Sequence, residues 1–228
     1  MKLPHPGRLA LLFCLAGTGL RAADTPVPGA STVWRLDQTS AVGGHATTVL
    51  GTPHVVAGPD GAAIQFNGST DGLLVPVNPL AGLAQFTIEV HFRPTSGGPA
   101  EQRFLHIQDE LGSRTLMEIR LLDQGWALDT FLYSLKTKSQ HPLLDRSKLH
   151  PADTWTWVAL VYANGHMAHY INGVKELEGD VDFAPTLAGQ ISLGVRQNKV
   201  YWFKGEIAEV RFHPVALDAA HLAHADPK

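Results

Sequence analysis

The chain has 228 residues, 44% hydrophobic, 17% charged and 8% aromatic, with 22 Gly, 15 Pro, one Cys and a formal net charge of -3. That composition excludes a disordered or collagen-like chain and suits one globular domain, because single all-β domains run to about 250 residues. Lys and Arg are scattered without a basic stripe to track a phosphate backbone, so nucleic acid is not an expected partner.

The first predicted element is an export signal. Lys2 and Arg8 precede the apolar run Leu9–Leu20, and the small pair Ala22-Ala23 precedes an acidic, Pro-rich stretch. Twelve residues are too few to cross a hydrocarbon core, which needs about 20, and no other stretch approaches that length, so no membrane span is expected. Residues 1–23 are read as a signal peptide, 24–31 (DTPVPGAS) as a linker and 32–228 as one domain, exported to the periplasm or the extracellular space. Cys14 lies in the removed segment, and the bulky Phe13 before it argues against a lipoprotein. The remaining 205 residues carry 15 Lys and Arg against 21 Asp and Glu, a net charge of -6, and no Cys. Disulfides and Cys-ligated zinc are therefore excluded, and the core must supply the stability.

From Val33 onward, short segments of period-2 alternation are separated by Gly, Pro, Asn and Asp every 8–12 residues, the pattern of an antiparallel β-sandwich. The predicted strands in chain order are 33–36, 47–50, 54–56, 62–67, 72–76, 85–93, 103–108, 114–121, 126–134, 154–162, 166–171, 174–177, 189–196 and 203–213. Asn164-Gly165 and Asn172-Gly173 predict type I′ hairpins, because both residues tolerate the positive φ such turns require. Only 218–225 has a helical pattern, which predicts a short C-terminal helix.

Alternation also sorts side chains by face. Phe86, Ile88, Val90 and Phe92 oppose Glu89 and His91; Leu105 and Ile107 oppose His106 and Gln108; Met117, Ile119 and Leu121 oppose Glu118 and Arg120; Leu128 and Leu132 oppose Asp129, Phe131 and Tyr133. With these strands side by side, one sheet face carries Glu89, His91, His106, Gln108, Glu118, Arg120, Asp129 and Tyr133. Trp126 flanks it as a candidate sugar-stacking ring, while Trp155 and Trp157 share a face, with one or both expected in the core.

The succession VWRLD, GAAIQFNGSTDGLLVPVNP, FTIEVHFRP, WTWVALVYANGHMAHYINGVKE, ISLGVRQN and WFKGEIAEVRFHPVAL resembles the laminin G-like, concanavalin A-like lectin/glucanase jelly roll of bacterial secreted proteins, over Val33 to Leu222. The resemblance implies two stacked antiparallel sheets, a glycan-binding face and, in many members, a structural calcium. The paired acids of a glucanase, in E-x-D-x-x-E spacing on one strand, are absent. The expected function is therefore a non-catalytic, lectin-like module for a glycan or cell-surface ligand, contacted by His91, His106, Gln108, Glu118, Arg120, Asp129 and Trp126. The sequence fixes no oligomeric state.

Other readings stay open at this stage: a polysaccharide lyase or glycoside hydrolase using the polar face around His106 and Arg120, or a purely structural sandwich in a surface assembly. His106, Gln108, Arg120 and Tyr133 are the residue types a polysaccharide lyase uses: Arg and Gln to hold a uronate carboxylate, His or Tyr to remove the neighbouring proton. The same residues serve equally as cross-strand ion pairs on a covered sheet. Calcium would need several loop oxygens, for which Asp71 and Asn67, with Asp37 and Asp60 nearby, are candidates, although Asp and Asn also form turns. His166 and His169 fall on opposite faces of a strand and cannot grip one ion.

Overall fold

The computed structural model describes Met1 and residues 30–224; the predicted signal peptide and most of the linker lie outside the described residues. Two antiparallel sheets enclose one core. The strands are β1 (Thr32–Arg35), β2 (Ala41–Val42), β3 (His45–Ala46), β4 (Thr48–Leu50), β5 (His54–Gly58), β6 (Gly61–Asn67), β7 (Gly72–Val75), β8 (Phe86–Pro94), β9 (Glu101–Asp109), β10 (Arg114–Leu122), β11 (Gly125–Ser134), β12 (Ser139–Leu144), β13 (Thr156–Ala163), β14 (His166–Ile171), β15 (Val174–Asp180), β16 (Gly189–Leu193) and β17 (Lys204–His213). One sheet has eight strands, ordered β15-β14-β13-β8-β17-β6-β5, with β1 also paired to β17. The other has seven, ordered β12-β11-β10-β9-β16-β7-β4.

The sandwich forms because the inner halves of both sheets are apolar at every second position. Phe86, Ile88, Val90 and Phe92 of β8 meet Leu105, Ile107, Met117, Ile119 and Leu128 of the facing sheet in one buried cluster. Phe92 is its hub, with ring centroids 4.5 Å from Phe104 and 5.2 Å from Trp126. The hydroxyl of Tyr162 donates to the Phe183 carbonyl and accepts from its N–H, each at 3.0 Å, so this core tyrosine keeps its polar end satisfied.

Both Asn-Gly hairpins form with positive φ: 52° and 78° at Asn164-Gly165, 47° and 75° at Asn172-Gly173. Edge strand β12 lies outside the predicted set; at an edge the missing N–H of Pro142 goes unmissed. The predicted C-terminal helix is a single 3₁₀ turn, Ala219–His221. Gly194 opens the long loop between β16 and β17. Its φ of 78° is left-handed, and a Cβ there would lie 2.3 Å from the Phe66 ring, so only glycine lets the chain leave the sheet at this point.

Candidate functional site

Strands β9, β10 and β11 run as successive hairpins and send every second side chain to the outer face of the seven-stranded sheet. Successive rows across this face hold Gln108, Arg114 and Tyr133, then His106, Leu116 and Phe131, then Arg103, Glu118 and Asp129, then Glu101 and Arg120. The third row depends on a β-bulge. Met117 pairs with Leu105 but Glu118 pairs with Arg103, leaving Phe104 as the extra residue. Phe104 and Leu105 therefore both enter the core, and Arg103 turns outward.

An ionic cluster fills one end of this face. Arg120 Nη2 lies 2.5 Å from Asp129 Oδ2 and 3.1 Å from Glu118 Oε2, while Arg103 Nε lies 2.7 Å from Glu118 Oε1. Glu101 bridges the same two arginines at 3.3 and 3.4 Å. Burial pushes the Glu118 carboxyl up to about 6, outweighing the attraction of Arg103, and burial raises Asp129 as well, against the pull of Arg120. Desolvation thus exceeds the Coulombic return for these carboxylates, as is common for buried pairs.

Beside this cluster sits His106, 1% exposed. The loop after β16 folds over β9, and the backbone N–H of Gln197 donates to His106 Nδ1 at 3.1 Å. Gln197 also clamps the loop through its side-chain amide, which donates to the carbonyls of His106 and Gln190. With Nδ1 accepting, the imidazole proton belongs on Nε2, which is buried without a partner. Burial first, then Arg196, Arg114 and Arg103, bring the His106 pKa down to about 3, so the ring is neutral.

Between these groups opens a cleft of about 220 Å³, lined by Arg103, Arg114, Leu116, Glu118, Arg120, Asp129, Phe131, Pro142 and Arg196. The guanidinium of Arg114 lies 4.7 Å from the Tyr133 ring and 5.7 Å from that of Phe131. Tyr201, an exposed ring, lies 3.7 Å from the guanidinium of Arg103. A wider opening of about 670 Å³ lies among end loops around Gly97, Gly98, Gln124 and Pro151, with Asp123 its only charged lining residue. Another, of about 310 Å³, lies by Arg35, Asp37, Asp60 and Glu209. Of these three, the 220 Å³ cleft is the one whose lining combines converging charged groups with an aromatic ring, Phe131.

The expected eight-residue face is split between the two sheets. Glu89 and His91 belong to β8, which pairs with β13 and β17, so they lie on the outer face of the other sheet. Glu89 anchors the C-terminal segment there, accepting from the Ala223 N–H at 2.6 Å and meeting His213 at 2.8 Å. His91 stacks on Trp157 at 4.5 Å and 11°, and the Arg211 guanidinium lies 4.4 Å from the Trp157 ring. Trp155 and Trp157 are accordingly outer-face residues rather than core. Trp126 is the reverse: it is fully buried, with Nε1 donating to the Pro151 carbonyl, and cannot meet a ligand.

The lyase quartet does not converge. Gln108 and Tyr133 flank Arg114, and Arg120 sits six residues further along the strand, about 20 Å away. No single carboxylate can touch Arg120 and Gln108 together. His169 points into the core, where its Nδ1 meets Thr130 of the opposite sheet at 3.0 Å, while His166 faces outward to Asp180 and Glu178. Among the described residues, no group of three or more His, Cys, Asp or Glu is placed to hold a metal.

Asp71 and Asn67 staple a turn. Asp71 accepts from the N–H groups of Thr52 and Asn67, and Asn67 Oδ1 accepts from those of Ser69, Thr70 and Asp71 at 2.9, 2.9 and 3.2 Å. With their oxygens turned onto N–H donors, the pair does not fit a calcium site. Asn67→Ala removes the acceptor of three N–H groups, those of Ser69 and Thr70 passing to water, and is expected to cost about 1 kcal/mol in urea unfolding. A loss below about 0.3 kcal/mol would remove the staple from the account.

Comparison with known proteins follows the same lines. The family described as the concanavalin A-like lectin/glucanases superfamily, of laminin G type, matches residues 67–223, and the chain belongs to it. No curated protein sequence matches the chain significantly. Among solved structures it is similar to domain 4 of AbnA, a GH43 extracellular arabinanase from Geobacillus stearothermophilus, in complex with arabinotriose. There the TM-score is 0.62 at 23% identity, covering 84% of this chain and 96% of that one. The binding domain of Paraclostridial Mosquitocidal Protein 1 gives 0.61 at 15% identity, covering 83% and 50%. The CBM40 of the Ruminococcus gnavus IT-sialidase gives 0.52 at 20%, covering 70% and 94%. At these identities the likeness concerns the fold.

Proposed function

We propose that this protein is an exported, non-catalytic carbohydrate-binding module whose ligand lies in the cleft on the outer face of β9–β11. The observation that carries the reading is the cleft itself, where Arg103, held by Glu101 and Glu118, stands beside the ring of Tyr201, and Arg114 stands beside the rings of Phe131 and Tyr133. Planar donors and ring faces are what sugar hydroxyls and sugar C–H faces need. Modules of this fold in complex with arabinotriose, or attached to a sialidase, support the class of ligand. A catalytic role for Glu118 and Asp129 fits less well: both Glu118 oxygens are engaged by arginines, and its side chain is 3% exposed.

Affinity electrophoresis of the full chain through polysaccharide-loaded gels tests this. Retardation by at least one polysaccharide, with no shortening of the polymer, is expected. Free passage through every gel, or release of new chain ends, would overturn the reading. Export rests on residues 1–23, and sequencing of the secreted or periplasmic form is expected to begin near Asp24. A product that starts at Cys14, or stays in the cytoplasm, contradicts it.

A further inference from the structure

The arginines of the cleft are not alike. Arg103 and Arg120 are matched by Glu101, Glu118 and Asp129, whereas Arg114 and Arg196 have no carboxylate within salt-bridge distance among the described residues. Buried guanidinium nitrogens without a hydrogen-bond partner occur on Arg103, Arg114 and Arg120 alike, but of the three only Arg114 has no carboxylate beside it, and His106 Nε2 in the neighbouring row is buried without a partner as well. Burial and the charge of Arg196 even weaken Arg114's hold on its proton. Two guanidiniums facing one cleft without an anion between them repel one another, in a chain that is net acidic. Such an unbalanced local arrangement is the kind a sequence keeps at a functional position.

From this juxtaposition we infer that Arg114 and Arg196 form an anion subsite, and that the glycan bound in the cleft is an acidic one, presenting a carboxylate or a sulfate ester between the two guanidiniums. The inference rests on the carbohydrate-binding reading and narrows it. Arginine suits the role because its planar fork meets either oxyanion with two parallel hydrogen bonds. The loop that carries Arg196 is fixed by Gln197, so the second fork is set in place before the ligand arrives. The aromatic faces of Tyr133 and Phe131 beside Arg114 give the sugar ring a surface on the same side.

The test uses the full chain against three glycan sets: neutral oligosaccharides, uronate-bearing ones without sulfate, and sulfated ones without uronate. Binding to at least one acidic set and not to the neutral set is expected, falling tenfold or more in Arg114→Gln and in Arg196→Gln, and weakening as salt is raised. Which acidic set binds distinguishes carboxylate from sulfate. Arg196 has no ionic partner to lose, so Arg196→Gln should fold normally by circular dichroism and thermal midpoint; Arg211→Gln on the opposite sheet is the control and should bind unchanged. Arg196→Lys keeps the charge without the fork and is expected to retain an intermediate affinity. Binding of neutral glycans that ignores both substitutions overturns the anion subsite and leaves the carbohydrate reading standing. Failure to bind any of the three sets removes both.

Discussion

Arg120→Ala is expected to cost the fold about 3–5 kcal/mol, because it removes one partner of a buried pair and leaves the others charged and dry. The side chains of Glu118 and Asp129 are 3% and 5% exposed, and they stand directly opposite one another on β10 and β11. Arg103 still holds one oxygen of Glu118, but Asp129 loses its only ion pair among the described residues. For a domain of this size the loss amounts to a fall of roughly 10 °C in thermal midpoint. Arg120→Lys keeps the charge, and one ammonium can replace the Nη2 that meets both Glu118 and Asp129, but it gives up the Nη1 contact with Glu101, so it should lose less. Replacing Arg120 and both acids together with apolar residues should recover much of the deficit. The deficit should also shrink in acid: carboxyls whose folded pKa is raised stabilise the native state below their unfolded pKa and lose that contribution as pH rises. Urea unfolding at two pH values reads all of this, and a single-variant loss under about 1 kcal/mol would reduce the cluster to a surface ion pair.

Alternation along the chain made most of this face legible. His106, Gln108, Glu118, Arg120, Asp129 and Tyr133 all point away from the core, because each strand has a clean apolar partner set to fix its sense. Which strands lie side by side is a different question. β8 has the same alternation as β9, yet it pairs with β13 and β17, and no local pattern distinguishes a strand that stays in its sheet from one that crosses over. Arg103 was hidden for a narrower reason: one extra residue at Phe104 reverses the parity upstream of it, and a bulge leaves no compositional mark here. Trp126 has the parity of Leu128, and that parity, rather than its amphipathic character, decides its burial. Trp157 is the opposite case, its burial coming from His91 and Arg211 rather than from the core. Arg114 and Arg196 share the outward parity of the face, but only the loop folded back by Gln197 shows that they line one cleft.

His106 carries the second large effect. Its pKa falls from an ordinary 6.5 to about 3, through burial first and then the charges of Arg196, Arg114 and Arg103. A histidine held neutral in the native state but free to take a proton when unfolded contributes stability that is complete above pH 6.5 and lost as pH falls toward 3. At pH 5 the loss from this one ring is about 2 kcal/mol, since each pH unit below the unfolded value costs about 1.4 kcal/mol. His106→Asn offers a side-chain oxygen to accept from Gln197 and cannot titrate, so its deficit against the parent should narrow by about 2 kcal/mol between pH 7.5 and pH 5. Taking the difference between the two proteins cancels the contribution of His91, which burial also lowers. Arg196→Gln removes the charge that acts most strongly on His106 and should move its titration upward, as read through its imidazole resonances. A bound anion must act in the same direction, because a negative charge beside Nε2–H favours the imidazolium. An acidic oligosaccharide that binds the cleft yet leaves the His106 resonances and their pH response unmoved would place that anion somewhere other than between Arg114 and Arg196.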